Sequence, residues 1–190
     1  MTDFSNDIEQ CLAVLRKGGT IVYPTDTIWG IGCDATNSEA VEKVIQLKQR
    51  PPDKSFVVLM ADESDILRYT ARPDLEVFNY LERTSKPTTV IYEHAIGLAD
   101  NVIAEDGSIA IRLVQDEFYR HLIRRFRKPL LSTSANLSGQ AAPSDFHEID
   151  KEILKSVDFV VEHRRSESVS ASPSSIIKWQ GNGKFTIIRP

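Results

Sequence analysis

The apolar residues of this chain come in short β-branched runs, separated by stretches whose apolar spacing is that of a helix. That alternation restricts the fold more than any other feature, because a run of four to six residues fits a strand and helical spacing cannot pack as one. Thr20 to Tyr23 is one such run, stopped at once by Pro24; it reads as a buried strand that ends in a loop. Further strands are expected over residues 56–60, 88–92, 108–113, 130–133, 157–161, 174–178 and 185–188. Between them, Ile8, Cys11, Leu12 and Leu15 follow a capping Ser5 and stop at Gly18 and Gly19. Val41, Val44, Ile45 and Lys48 line a second helix capped by Ser38. Helices are also expected near Ile66, over residues 74–81, along Phe118, Leu122, Ile123 and Phe126, and over residues 147–154. Strands and helices are interspersed without strict alternation, which predicts an α/β sheet of mixed direction. The chain has no internal repeat.

Residues 1–190 have the length of one domain, and 41% apolar side chains are enough to bury its core. Lysine and arginine total 23 against 27 acids, so no overall field draws the molecule onto nucleic acid and any anion site must be local. Cys11 and Cys33 lack the spacing of a zinc knuckle, redox pair or disulfide framework, which fits a reducing compartment. The start, MTDFSNDIEQ, lacks the basic and then apolar stretches of a signal peptide, and no apolar run reaches the roughly 18 residues of a membrane span. A cytoplasmic protein with no membrane partner is expected.

Three segments can carry chemistry. In residues 23–32, Thr25 and Thr27 place hydroxyls at a strand end, and Gly30 and Gly32 allow close backbone approach; spacing alone is met as well by an ordinary strand-to-turn connection. Residues 47–54 set three cations at a helix end stiffened by Pro51 and Pro52, which suits a polyphosphate but also a simple dipole cap. No GxxxxGK[ST] stretch occurs, so an ATP site here is not a P-loop. In residues 129–139 an apolar strand opens into four hydroxyls, an amide and a glycine, either an anion-binding concavity or a loop that caps itself. Residues 163–175 are rich in Ser and Arg, and residues 163–173 are read as a surface loop or a lid. Arg120, Arg124, Arg125, Arg127 and Lys128 form a basic run that could touch RNA weakly, although a solvated helix face explains it. The four histidines have no metal-ligand spacing.

Taken together and in order, GGTIVYPTDTIWGIGCDA, KQRP, KPTTVIY, SIAIRLV, PLLSTSANLSG, SSII and the terminal IIRP resemble the YrdC family of threonylcarbamoyl-AMP synthases along nearly the whole chain. The resemblance implies a single catalytic domain over 1–190, a twisted mixed sheet with helices around a large positively lined cavity, and ATP, L-threonine and bicarbonate as substrates with Mg2+ accompanying ATP. By matched position it implies Lys48 and Arg50 as triphosphate ligands and catalytic cations. Thr25, Arg112, Ser132 and Ser174 would hold threonine, and Ser108, Ser134, Asn136 and Arg189 would contact the nucleotide. It further implies hand-over of the product to proteins that transfer the threonylcarbamoyl group to tRNA. The chain departs from the family pattern at Ser55-Phe56, at Ser85-Lys86-Pro87 and at Ser174-Ser175. An RNA-binding module, or a paralogue with another substrate, is the alternative reading.

Overall fold

The computed structural model describes residues 4–49, 56–167 and 173–190. Along the chain run α1 (Ser5–Arg16), β1 (Ile21–Tyr23), β2 (Gly30–Asp34), α2 (Ser38–Lys48), β3 (Val57–Met60), α3 (Glu63–Tyr69), α4 (Glu76–Arg83), β4 (Thr88–Tyr92) and β5 (Ile109–Leu113). There follow α5 (Glu117–Phe126), β6 (Leu130–Ser134), a 3₁₀ turn (Phe146–Glu148), α6 (Lys151–Ser156), β7 (Phe159–Val160), β8 (Ser175–Gly181) and β9 (Lys184–Arg189). The strands form one sheet in the order β7-β1-β2-β6-β3-β5-β4-β8-β9. β7-β1, β3-β5 and β4-β8 are parallel, and the other neighbours are antiparallel. The mixed sheet expected from the sequence is therefore present.

Alternation along the strands gives the sheet two unlike faces. Val22, Ile31, Cys33, Val58, Met60, Val90, Ile111, Leu131 and Ile177 share one face, packed with Ala40, Val41 and Val44 of α2, Ile66 of α3, Val77 and Phe78 of α4 and Ile153 of α6. On the other face Ile21, Tyr23, Leu59 and Leu130 lie under α1 and α5, through Ile8, Cys11, Leu12, Leu15, Phe118, Leu122 and Ile123. That second cover stops part-way. Register places Gly32, Ser132, Val57 and Ala110 in one cross-strand row, and Leu130, Leu59, Arg112, Thr89, Ile176 and Arg189 in the next row on the same face. The second row starts beneath the helices with two leucines, passes to Arg112 and ends at Arg189.

The sequence reading took Gly30 to Gly32 for a turn, and the structure corrects it: Gly30–Asp34 is an interior strand, buried along its length. Glycine is a poor strand residue when its side chain would have to pack. Here the space is used by a neighbour, since a Cβ on Gly32 would stand 2.5 Å from Tyr23 Cε1 and 2.8 Å from the Leu131 carbonyl oxygen. Other differences are local. Asn37, not Ser38, caps α2, its side chain accepting the Glu39 and Ala40 N–H groups. The helix expected over 147–154 divides into the 3₁₀ turn and α6, because the Asp150 side chain accepts the Glu152 N–H and starts a new helix. A Gly32→Ala change is expected to lower stability by about 1–3 kcal/mol through overpacking against the Tyr23 ring, measurable as a lower urea midpoint with an unchanged slope.

Candidate functional site

The uncovered half of the second face is the floor of a cavity of about 320 Å3, bounded by Thr25, Gly30, Arg112, Ser132, Ser134, Ser174 and Arg189 among others. The resemblance implied a large cavity; this volume lies at the lower end of small-molecule sites, about 300–1,000 Å3. Its wall follows from strand register. Ser132 and Ser134 alternate along β6 toward the same face, Arg112 stands on that face of β5 in the row beside that of Ser132, and Arg189 pairs across from Ile176 at the far edge. Of the residues singled out from sequence, Thr25, Arg112, Ser132, Ser134, Ser174 and Arg189 are brought to this one wall.

Arg112 is only 6% exposed. Its Nη2 lies 3.1 Å from Asp26 Oδ1 and its Nη1 donates to Thr27 Oγ1 at 3.3 Å, while Nε is buried without a partner among the described residues. Arg189 donates from Nε and Nη2 to the Ser174 carbonyl at 3.0 and 2.8 Å. Burial, and next the positive charge of Arg112, hold the Arg189 guanidinium below its ordinary value. Ser174 in turn shares a 2.9 Å hydroxyl bond with Thr89. Burial pushes the Tyr23 phenol up, with the neighbouring Ser132 hydroxyl and then Arg112 pulling it part-way back. Two guanidinium groups and a set of hydroxyls thus converge on one concavity.

Thr25 contributes differently from its expected role. Its hydroxyl accepts the N–H groups of Thr27 and Ile28, both at 2.9 Å, donates to the Ile28 carbonyl at 2.5 Å and contacts Thr27 Oγ1 at 2.8 Å. The hydroxyl is committed to its own turn. Tyr119 donates to the Pro24 carbonyl and fixes the start of that turn.

Lys48 departs most from expectation. Having been read as a cation standing open for phosphate, it is 1% exposed, and its ammonium donates to the carbonyls of Ser134 and Asn136, each at 2.5 Å. The Ser138 N–H returns a bond to the Lys48 carbonyl at 3.0 Å. Buried polar groups need partners, and here the ammonium ties α2 to the loop that leaves β6. Asn136 is also committed to that loop, its amide donating to the carbonyls of Leu137 and Gln140. Ser108 sits before β5 with its N–H on Asp106 and its carbonyl taking the Ala104 N–H. Lys48, Asn136 and Ser108 are not on the described cavity wall. Arg50 lies outside the described residues.

Sequence reasoning passed over Asp26 and Thr89, which hold Arg112 and Ser174 in place. For Asp26 a signal existed, since it is the one acid in a segment whose hydroxyls were already of interest. The basic run on α5 is neutralised locally: Arg124 pairs with Asp62, Arg125 with Glu9 and Lys128 with Asp34, at 2.5–2.6 Å. Residues 163–167, the first part of the lid expected over 163–173, are pinned. The buried Asp7 carboxylate accepts the Glu162 and His163 N–H groups, Arg164 pairs with Asp116 and Glu167, and Arg165 donates to the Val160 and Val161 carbonyls. Residues 168–172 lie outside the described residues.

Fold and site together define an α/β domain with two guanidinium groups on the open half of a mixed sheet. The chain belongs to the Sua5/YciO/YrdC family, whose model, described as "Telomere recombination", matches residues 13–190. The threonylcarbamoyl-AMP synthase of Idiomarina loihiensis is 34% identical over 172 residues, covering 89% of this chain and 91% of that protein. The crystal structure of P. abyssi Sua5 complexed with L-threonine superposes with a TM-score of 0.87 at 21% identity over 96% of this chain, which spans about half (53%) of that one. E. coli YciO superposes with a TM-score of 0.82 at 24% identity, over 97% of this chain and 88% of its own.

Replacing Lys48 by Met is expected to destabilise the protein by about 1–3 kcal/mol, because it withdraws a donor from inward-facing carbonyls. Chemical denaturation of Lys48→Met would measure it, and unchanged stability would return Lys48 to the open anion role.

Proposed function

We propose that this chain is an L-threonylcarbamoyladenylate synthase, a nucleotidyltransferase that makes threonylcarbamoyl-AMP and pyrophosphate from L-threonine, bicarbonate or CO2, and ATP. The observation that carries the reading is Arg112, a buried guanidinium on the cavity wall whose Nε has no partner among the described residues. A guanidinium in a cavity wall is a strong partner for a carboxylate or a phosphate. The relative named for this activity matches along most of the chain, and the similar Sua5 structure is described as a complex with L-threonine.

In this reading Arg112 takes the threonine carboxylate, with Ser132 and Ser174 beside it and Thr25 shaping the wall. Arg189 and Ser134 meet the nucleotide on the same wall. The amine of threonine adds to CO2 as a carbamate, a carbamate oxygen attacks the α-phosphorus of ATP, and pyrophosphate leaves. No protein nucleophile is needed, so the residues act by orientation and charge neutralisation. Arg50 is carried as a triphosphate ligand. Lys48 acts through the Ser134–Asn136 carbonyls it holds, and Ser108 and Asn136 support the same side of the site. The described side chains do not fit a protein-held magnesium ion, because the cavity wall contains no carboxylate and no described group of three or more His, Cys, Asp or Glu could ligate a metal. Mg2+ belongs here with the triphosphate of ATP. Among the described residues no helix is long and apolar enough to cross a membrane, and a cytoplasmic enzyme supplying tRNA-modifying transfer proteins completes the reading.

Pyrophosphate release is expected to require threonine and bicarbonate together, with serine poorer by about 1–3 kcal/mol for the missing methyl; equal rates with serine or glycine would refute the substrate. Arg50→Ala is expected to keep its melting temperature and lose about a hundred- to a thousandfold in turnover, read in the same assay.

A further inference from the structure

We infer that Asp26 is a positioning residue for threonine recognition: it holds the Arg112 guanidinium from behind, and so sets where that side chain stands in the cavity wall. The inference rests on the reading of Arg112 given under Proposed function. Asp26 Oδ1 lies 3.1 Å from Arg112 Nη2, and Thr27 Oγ1 takes Nη1 at 3.3 Å. Adjacent residues of one turn therefore reach the two terminal nitrogens, Thr27 by a hydrogen bond and Asp26 by charge at close range, its Oδ1 making no hydrogen bond among the described residues. Arg112 lines the cavity described above, whereas Asp26 lines a second cavity of about 310 Å3 together with Glu63, Lys86, Thr88, Leu113 and Gln115. The carboxylate and the guanidinium thus form a partition, with the acid on the far side from the proposed ligand.

The mount is stiff. Thr25 Oγ1 gathers the N–H groups of Thr27 and Ile28, and Tyr119 fastens the Pro24 carbonyl. An arginine in a low-dielectric wall keeps many rotamers unless its donors are fixed, and a carboxylate fixes both orientation and charge. Placed behind the arginine, Asp26 acts on the guanidinium from outside the cavity that Arg112 lines. It also offsets like-charge repulsion with Arg189, which presses on Arg112 across the site.

The test is steady-state pyrophosphate release by the full chain, with L-threonine and ATP each varied in turn, for Asp26→Asn, Asp26→Ala, Asp26→Glu and Arg112→Gln. Removing an outer partner of a ligating group typically costs about 10–100-fold. Asp26→Asn and Asp26→Ala are expected to raise the threonine KM by about that factor and leave the ATP KM within about twofold. Asp26→Glu is expected to recover part of the loss, and carries the test if the other variants fold poorly. A normal threonine KM in the Asp26 variants beside a raised one in Arg112→Gln overturns the inference alone, as does a joint rise in both KM values. A normal threonine KM in Arg112→Gln overturns the reading of Arg112 and the inference with it.

Discussion

A wide sheet must have something against each face, and in this molecule the helices run out first. The face carrying Val22, Val58 and Ile111 is covered by four helices, but α1 and α5 lie only over β1, Leu59 and Leu130 on the other. Where the helices end, this face changes from leucine to a mixture in which serine, alanine, threonine and arginine stand among Val57 and Ile176. The cavity is therefore a property of the sheet's second layer being half as wide as the sheet. The loops contribute its rim, but strand register supplies its floor.

Charge in so small a space has to be arranged. Arg112 and Arg189 each bring a full positive charge to one wall of a chain with net charge −4. Each is held differently: Arg112 by a carboxylate and a hydroxyl, Arg189 by the Ser174 carbonyl. Held guanidinium groups lose less entropy when an anion arrives, which is the physical content of a preformed site. Arg124, Arg125 and Lys128 show the contrasting case, since they reach acids on neighbouring elements at the surface.

Much of this was legible in the sequence, and the failures have physical causes. Helices with a full apolar stripe, such as α1 and α5, were readable because helical periodicity is local. Strands were readable where both faces are apolar, as in β1 and β3. β2 was not, since its two glycines make sense only once the Tyr23 ring is known to lie over Gly32. The cavity wall was legible through resemblance and hardly through spacing: Arg112 and Ser174 are 62 positions apart and meet only because β4 lies between their strands. The burial of Lys48 was not legible, because a cation beside prolines has the same sequence appearance whether its ammonium meets solvent or two carbonyls. The partners that decide it, Ser134 and Asn136, are 86 and 88 residues away.

Those partners also give the molecule a mechanical property. The ammonium of Lys48 reaches the Ser134 and Asn136 carbonyls while the Lys48 carbonyl takes the Ser138 N–H, so residue 48 clamps the loop after β6 at three points. A helix end and a stretch of wall joined in this way cannot be displaced separately. The end of a helix on one face of the sheet is thereby braced to Ser134, a residue of the cavity wall on the other face.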